Sequence, residues 1–173
     1  METNLGNAII GIISVIICIG PFIGLYLARV GKQNNILKTV HQHISHLNCQ
    51  IGTHEFCGDF LIGLDENKRY VLFYKQQINE EPKVTTIDLA TVFSIKVIKD
   101  SKNLQQNKEG SVFIERIGLC LTSANKKETT LEFFNDAINM QLNGELQCAE
   151  KWSQIINDLL SSFFKILENG IIK

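Results

Sequence analysis

Four histidines, His41, His43, His46 and His54, fall within a 14-residue window that also holds Cys49 and is closely followed by Cys57. Imidazole nitrogen and thiolate sulfur are the ligands that zinc prefers, and four of them in a tetrahedron would build a metal centre. The spacing argues against one. On a helix His43 and His46 share a face, His41 points elsewhere, and the chain has neither a CxxC nor an HxxxH pair. These side chains are therefore read as solvated histidines and small buried thiols. Asp59, Asp65 and Asp88 could be imagined as clustered carboxylates for acid–base work. Aspartate equally favours turns and strand ends, where it accepts hydrogen bonds from nearby backbone, and that use is expected here. The patterns GxSxG, HExxH, GxxxxGK[ST] and GxGxxG are absent. Hydrolase-elbow, zincin, P-loop and dinucleotide chemistry thus have no sequence support. No catalytic residue, metal ligand or cofactor is assigned, and the chain is not read as an enzyme.

The elements that would position any site begin with an apolar segment. Ala8 to Ala28 reads AIIGIISVIICIGPFIGLYLA, 21 residues without a charge, and about 20 are needed for a helix to cross a bilayer core. A cleaved signal peptide needs a basic leader, a shorter apolar core and a small-residue exit. METNLGN before the run contains no Lys or Arg, whereas Arg29, Lys32 and Lys38 follow it. Because basic residues gather on the cytoplasmic flank, the N-terminus is expected outside and the remainder in the cytoplasm. The sparse cysteines fit a reducing compartment. Gly20, Gly24 and Ala28 place small side chains on one helix face, where a second copy could approach.

The chain has 173 residues, with 17 Lys and Arg against 18 Asp and Glu and a net charge of -1. That leaves room for one modest domain beside the anchor, and no electrostatic reason to expect nucleic acid. The expected division is a short outer terminus at 1–7, a span at 8–28, an amphipathic juxtamembrane helix or linker at 29–48, a β domain with a closing helix at 49–164, and a tail at 165–173. In the linker Ile36, Leu37, Val40, Ile44 and Leu47 keep helical spacing.

Short β-branched and aromatic runs then alternate with polar turns. Phe60 to Leu64 and Tyr70 to Lys75 form a hairpin across Asp65 to Lys68. Val84 to Leu89 and Val92 to Lys99 follow, then a polar loop from Ser101 to Gly110. Ser111 to Thr122 alternates, with Val112, Ile114, Ile117, Leu119 and Leu121 inward; the slip between Ile114 and Ile117 predicts a bulge at Glu115 and Arg116. Thr129 to Phe134 returns after a turn. Leu146, Ala149, Trp152, Ile156, Leu159 and Phe163 then repeat at 3, 4 and 7, one face of a helix that Asn143 and Gly144 can cap. The fold class is α+β: six or seven antiparallel strands, as a sheet or partly open barrel, closed by a C-terminal helix.

Trp152 within AEKWSQIINDLL, after that strand series, resembles the pleckstrin-homology-like fold, in which a bent seven-stranded sheet is plugged by a helix carrying a Trp. FCGDFLIGLDENKRYVLFYK, TTIDLATVFSIKVIKD and LEFFNDAINMQLNGELQCAEKW, behind one span, look similar to an uncharacterised family of bacterial single-span membrane proteins. This resemblance implies an inner-membrane location and brings no catalytic residues. Phosphoinositide capture, the familiar use of the resembled fold, needs clustered cations. Here Lys68 and Arg69 stand beside Asp65 and Glu66, and Lys126 and Lys127 precede Glu128, so each turn is nearly neutral. The reading is a membrane-tethered binding or scaffold module with a protein partner. A lipid-headgroup reader, a metal-responsive signalling subunit and a cryptic enzyme are the alternatives.

Overall fold

The computed structural model describes residues 2–47, 49–76, 81–103, 112–139 and 141–171. It divides into two compact units, residues 1–42 and 43–173. The first is almost wholly helix α1 (Glu2–Ile44), which runs without a break through the expected linker. Gly31 is the one glycine in that linker, and a lone glycine costs a helix only about 1 kcal/mol. Residues 9–29 are exposed throughout, Phe22 at 74% and Leu25 at 71%, and the helix is long and apolar enough to cross a membrane. Inside that stretch the Ser14 hydroxyl donates to the Ile10 carbonyl at 2.9 Å. Its polar group is satisfied within the helix, as hydrocarbon requires. A Cβ built on Gly20 or Gly24 meets nothing within 4 Å, so that face is open to close approach.

The second unit holds seven strands. β1 (Ile51–Cys57), β2 (Phe60–Asp65), β3 (Tyr70–Lys75) and β4 (Lys83–Asp88) form one antiparallel sheet in sequence order. A short 3-10 turn, Leu89–Thr91, leads into β5 (Val92–Asn103), β6 (Val112–Ser123) and β7 (Glu128–Asn135), the second antiparallel sheet. Among the described residues the two sheets remain separate, with no ladder closing them into a barrel. The expected hairpin is present, in the register Phe60↔Lys75 to Leu64↔Val71. The bulge falls where the alternation slips: Asp100 pairs with Arg116 and Ser101 with Ile114, leaving Glu115 as the extra residue. Its carbonyl accepts from the Asp136 N–H at 2.9 Å, and its carboxylate pairs with Lys102. β5 extends to Asn103, further than expected; residues 104–110 of the expected loop lie outside the described residues.

Helix α2 (Glu145–Ile171) packs on β5, β6 and β7 and continues beyond the expected end at 164. Gly144, at φ +99°, accepts the first helical hydrogen bond from the Cys148 N–H at 3.0 Å. One core joins both sheets to this helix: Phe60, Phe73, Leu119, Phe133 and Trp152 belong to it. Phe60 and Phe133 rings lie 4.4 Å apart between centroids, so the two sheets touch through aromatic faces. Cys148 and Leu160 join the expected inward helix positions as buried residues. At the rim the Lys75 ammonium, itself mostly buried, bonds both the carbonyl and the carboxylate of Glu132 at 3.1 Å, tying β3 to β7.

Candidate functional site

The histidines, cysteines and aspartates singled out in the sequence do not gather into one group. Among the described residues no three His, Cys, Asp or Glu side chains stand where they could hold one metal ion. His43 and His46 meet edge to face at 6.1 Å, whereas His54 lies on β1 against Phe56, its Nδ1 3.2 Å from the Gly52 carbonyl. Asp59 and Asp65 fall at opposite ends of six-residue β2, about 20 Å apart at strand rise. Asp65 is buried and accepts the N–H groups of Asn67, Arg69 and Tyr70, the last two at 2.6 and 2.7 Å. Asp88 caps the 3-10 turn through the Ala90 N–H. Asp65 and Asp88 thus each shape a turn.

The two basic pairs, by contrast, come to one end of the domain. Their turns are built alike: Lys68 and Lys126 both take a left-handed backbone, φ 55° and 64°, and donate their N–H to Asp65 and Ser123. Backbone bonds from Leu89 to Arg69 and from Ala124 to Thr91 connect both turns to the β4–β5 connection. The Arg69 guanidinium bonds Asp88 at 2.9 Å and lies over the Tyr70 ring. Burial pushes the Asp88 carboxyl up, but the Arg69 hydrogen bond and charge and the Ala90 N–H together hold it below the ordinary value. Lys68, Arg69, Lys126 and Lys127 are balanced at this end by Asp65, Glu66, Asp88 and Glu128.

Between those turns the sheets part. A cleft of about 290 Å³ opens from β4 to β7, lined by Thr85, Thr86, Asp88, Thr91, Ser123, Lys127 and Thr129, with Ile87, Val92 and Leu121 as its apolar surface. β4 and β7 are edge strands of their sheets. Two of the hydroxyls here are occupied: Ser123 donates to the Thr91 carbonyl and Thr91 to the Asp88 carbonyl, both at 2.8 Å. The Thr86 hydroxyl is buried and has no partner in the structure. A cleft of this kind can take an extended polar segment with short side chains. No local pattern in the sequence announces it, because its residues come from four strands and span 45 positions.

A second convergence joins β1 to α2. Glu55 Oε2 accepts from both Lys151 Nζ and Trp152 Nε1 at 2.9 Å. Two residues along β1, Cys57 packs against the core cluster that holds Cys148 of α2. The match is geometric: two strand residues rise about 6.6 Å and four helix residues about 6 Å, so strand and helix run past each other in step. Burial raises the Glu55 carboxyl, but the Lys151 and Trp152 hydrogen bonds and the Lys151 charge bring it below its ordinary value. The S–H of Cys148 lowers the Cys57 thiol, against burial and the nearby carboxylates of Glu145, Glu55 and Asp59. Cys148 itself is pushed up by Cys57 and by burial. Comparison of the chain with protein-family models, curated proteins and solved structures yields no match in any of the three.

Proposed function

We propose that the chain is a membrane-tethered binding module whose residues 49–164 form a pleckstrin-homology-like domain and hold a protein partner at the cytoplasmic face of a bacterial inner membrane. Four plus three antiparallel strands followed by a helix with Trp152 in the core support the fold assignment. Arg29, Lys32 and Lys38, directly after the apolar run, support the orientation. The cleft between β4 and β7 carries the functional reading. Edge strands offer unpaired backbone groups to an extended peptide, alternating side chains enter the groove beside them, and the Thr86 hydroxyl supplies a polar group still unpartnered. A lipid-headgroup reader would draw on the same end of the domain, but the charge balance around Arg69 leaves little net attraction for an anionic leaflet.

The test is site-specific photo-crosslinking of the full chain in its membrane. A crosslinker at Thr86 or Thr129 is expected to give a discrete protein adduct that a crosslinker at exposed Glu150 does not. Thr86→Val keeps the shape and removes a hydroxyl whose unsatisfied burial costs about 1 to 3 kcal/mol. It is expected to weaken the adduct while leaving the fold as stable or more so. Equal adducts from Glu150 would sink the cleft as the binding site, and adducts to lipid alone would replace the partner with a headgroup.

A further inference from the structure

Cys57 and Cys148 lie 91 positions apart in the chain, yet Cys57 packs against the core cluster that holds Cys148, two residues along β1 from Glu55 and one helical turn along α2 from Trp152. Two independent contacts fix that neighbourhood. The Glu55 carboxylate binds α2 one turn further along, at Lys151 and Trp152. Gly58, left-handed at φ +56°, brings the β1–β2 corner so close to α2 that a Cβ there would meet Glu145 Oε1 at 3.3 Å. All five cysteines are free thiols in this structure. We propose that Cys57 and Cys148 form a reversible disulfide that locks the first turn of α2 to the end of β1.

Exposure assigns the order of events. Cys57 is half-buried at the corner, whereas Cys148 is 5% exposed and is reached from Cys57. The oxidant is a small-molecule disulfide. The Cys57 thiolate attacks one of its sulfurs; the S–S bond breaks, one half leaves as a thiolate, and the other stays on Cys57 as a mixed disulfide. Cys148 then gives up its proton, and its thiolate attacks Cys57 Sγ and expels the second half. The protein loses two electrons and two protons, and the small disulfide becomes two thiols. Closure brings the two Sγ atoms to the S–S bond length of about 2.05 Å. In a reducing compartment the pair stays as two thiols and closes only on a sustained oxidising shift in redox poise.

The full chain in detergent micelles, equilibrated in mixtures of hydroxyethyl disulfide and mercaptoethanol, acid-quenched, alkylated and mapped by mass spectrometry, tests this. The expected product is lighter by two hydrogens, links the Cys57 and Cys148 peptides, reverts with dithiothreitol, and melts at a higher temperature than the reduced chain. Cys148→Ser is expected to retain the mixed disulfide on Cys57, and Cys57→Ser to leave Cys148 unmodified. A mixed disulfide that persists on Cys57 in the unaltered chain, a link to Cys49 or Cys120 instead, or two thiols that react only after denaturation would each overturn the proposal. The unaltered chain decides the matter even if a serine variant does not fold.

Discussion

Glu55 shows how much one carboxylate oxygen can organise: it accepts a cation and an indole N–H from adjacent residues of α2. Because its folded pKa lies below the unfolded one, the unfolded chain takes up the proton first as pH falls. The stability contributed is complete above the ordinary carboxylate value of about 4.3 and disappears as pH drops through the depressed value. Thermal melts of the unaltered chain and Glu55→Gln should therefore differ at about pH 6 and converge by about pH 3. A constant difference across that range would mean that the charge contributes nothing and only the shape matters. The aspartates were legible one at a time, since Asp65 and Asp88 do what aspartate habitually does in turns. The Glu55 to Trp152 bond was not, because 97 positions separate its partners and neither residue type announces the other.

At the scale of elements, local periodicity was mostly sufficient. Strand patterning located six of the seven strands, missing β1, and its interruption between Ile114 and Ile117 located Glu115 as the bulge. The helical repeat identified Trp152 as inward, and it is 1% exposed in the common core. Trp152→Ala should cost about 3 to 5 kcal/mol in urea unfolding, by lost burial and the cavity left behind. Trp152→Phe should recover most of that, while Lys151→Ala, at an exposed side chain, should change little. Equal small effects from all three would place the indole outside the core. Periodicity could not show where elements stop when no breaker intervenes. α1 continues through residues 29–44 and α2 beyond 164 because the sequence there contains nothing strong enough to end a helix. The cleft between β4 and β7 was equally hidden, being made by the divergence of two sheets.

For the whole molecule, the charge asymmetry about the apolar run predicts the side of the membrane on which the domain lies. A reporter active only outside the cytoplasm, fused after Lys173, should stay silent, and one fused before Glu2 should be active. Strong activity at the C-terminal fusion would reverse the orientation and place Cys57 and Cys148 in an oxidising space, where their disulfide would be permanent. Helix α2 helps to unite the two sheets: it packs on β5, β6 and β7 and is bonded to β1 through Glu55. It also follows every strand in the chain. At about 5 to 20 residues per second, roughly one to three seconds separate the synthesis of Asn135, where β7 ends, from that of Trp152. Throughout that interval the nascent protein has all seven strands but nothing to cover Phe60, Phe73 and Phe133. The newborn chain is thus most dependent on chaperones in the interval between β7 and α2.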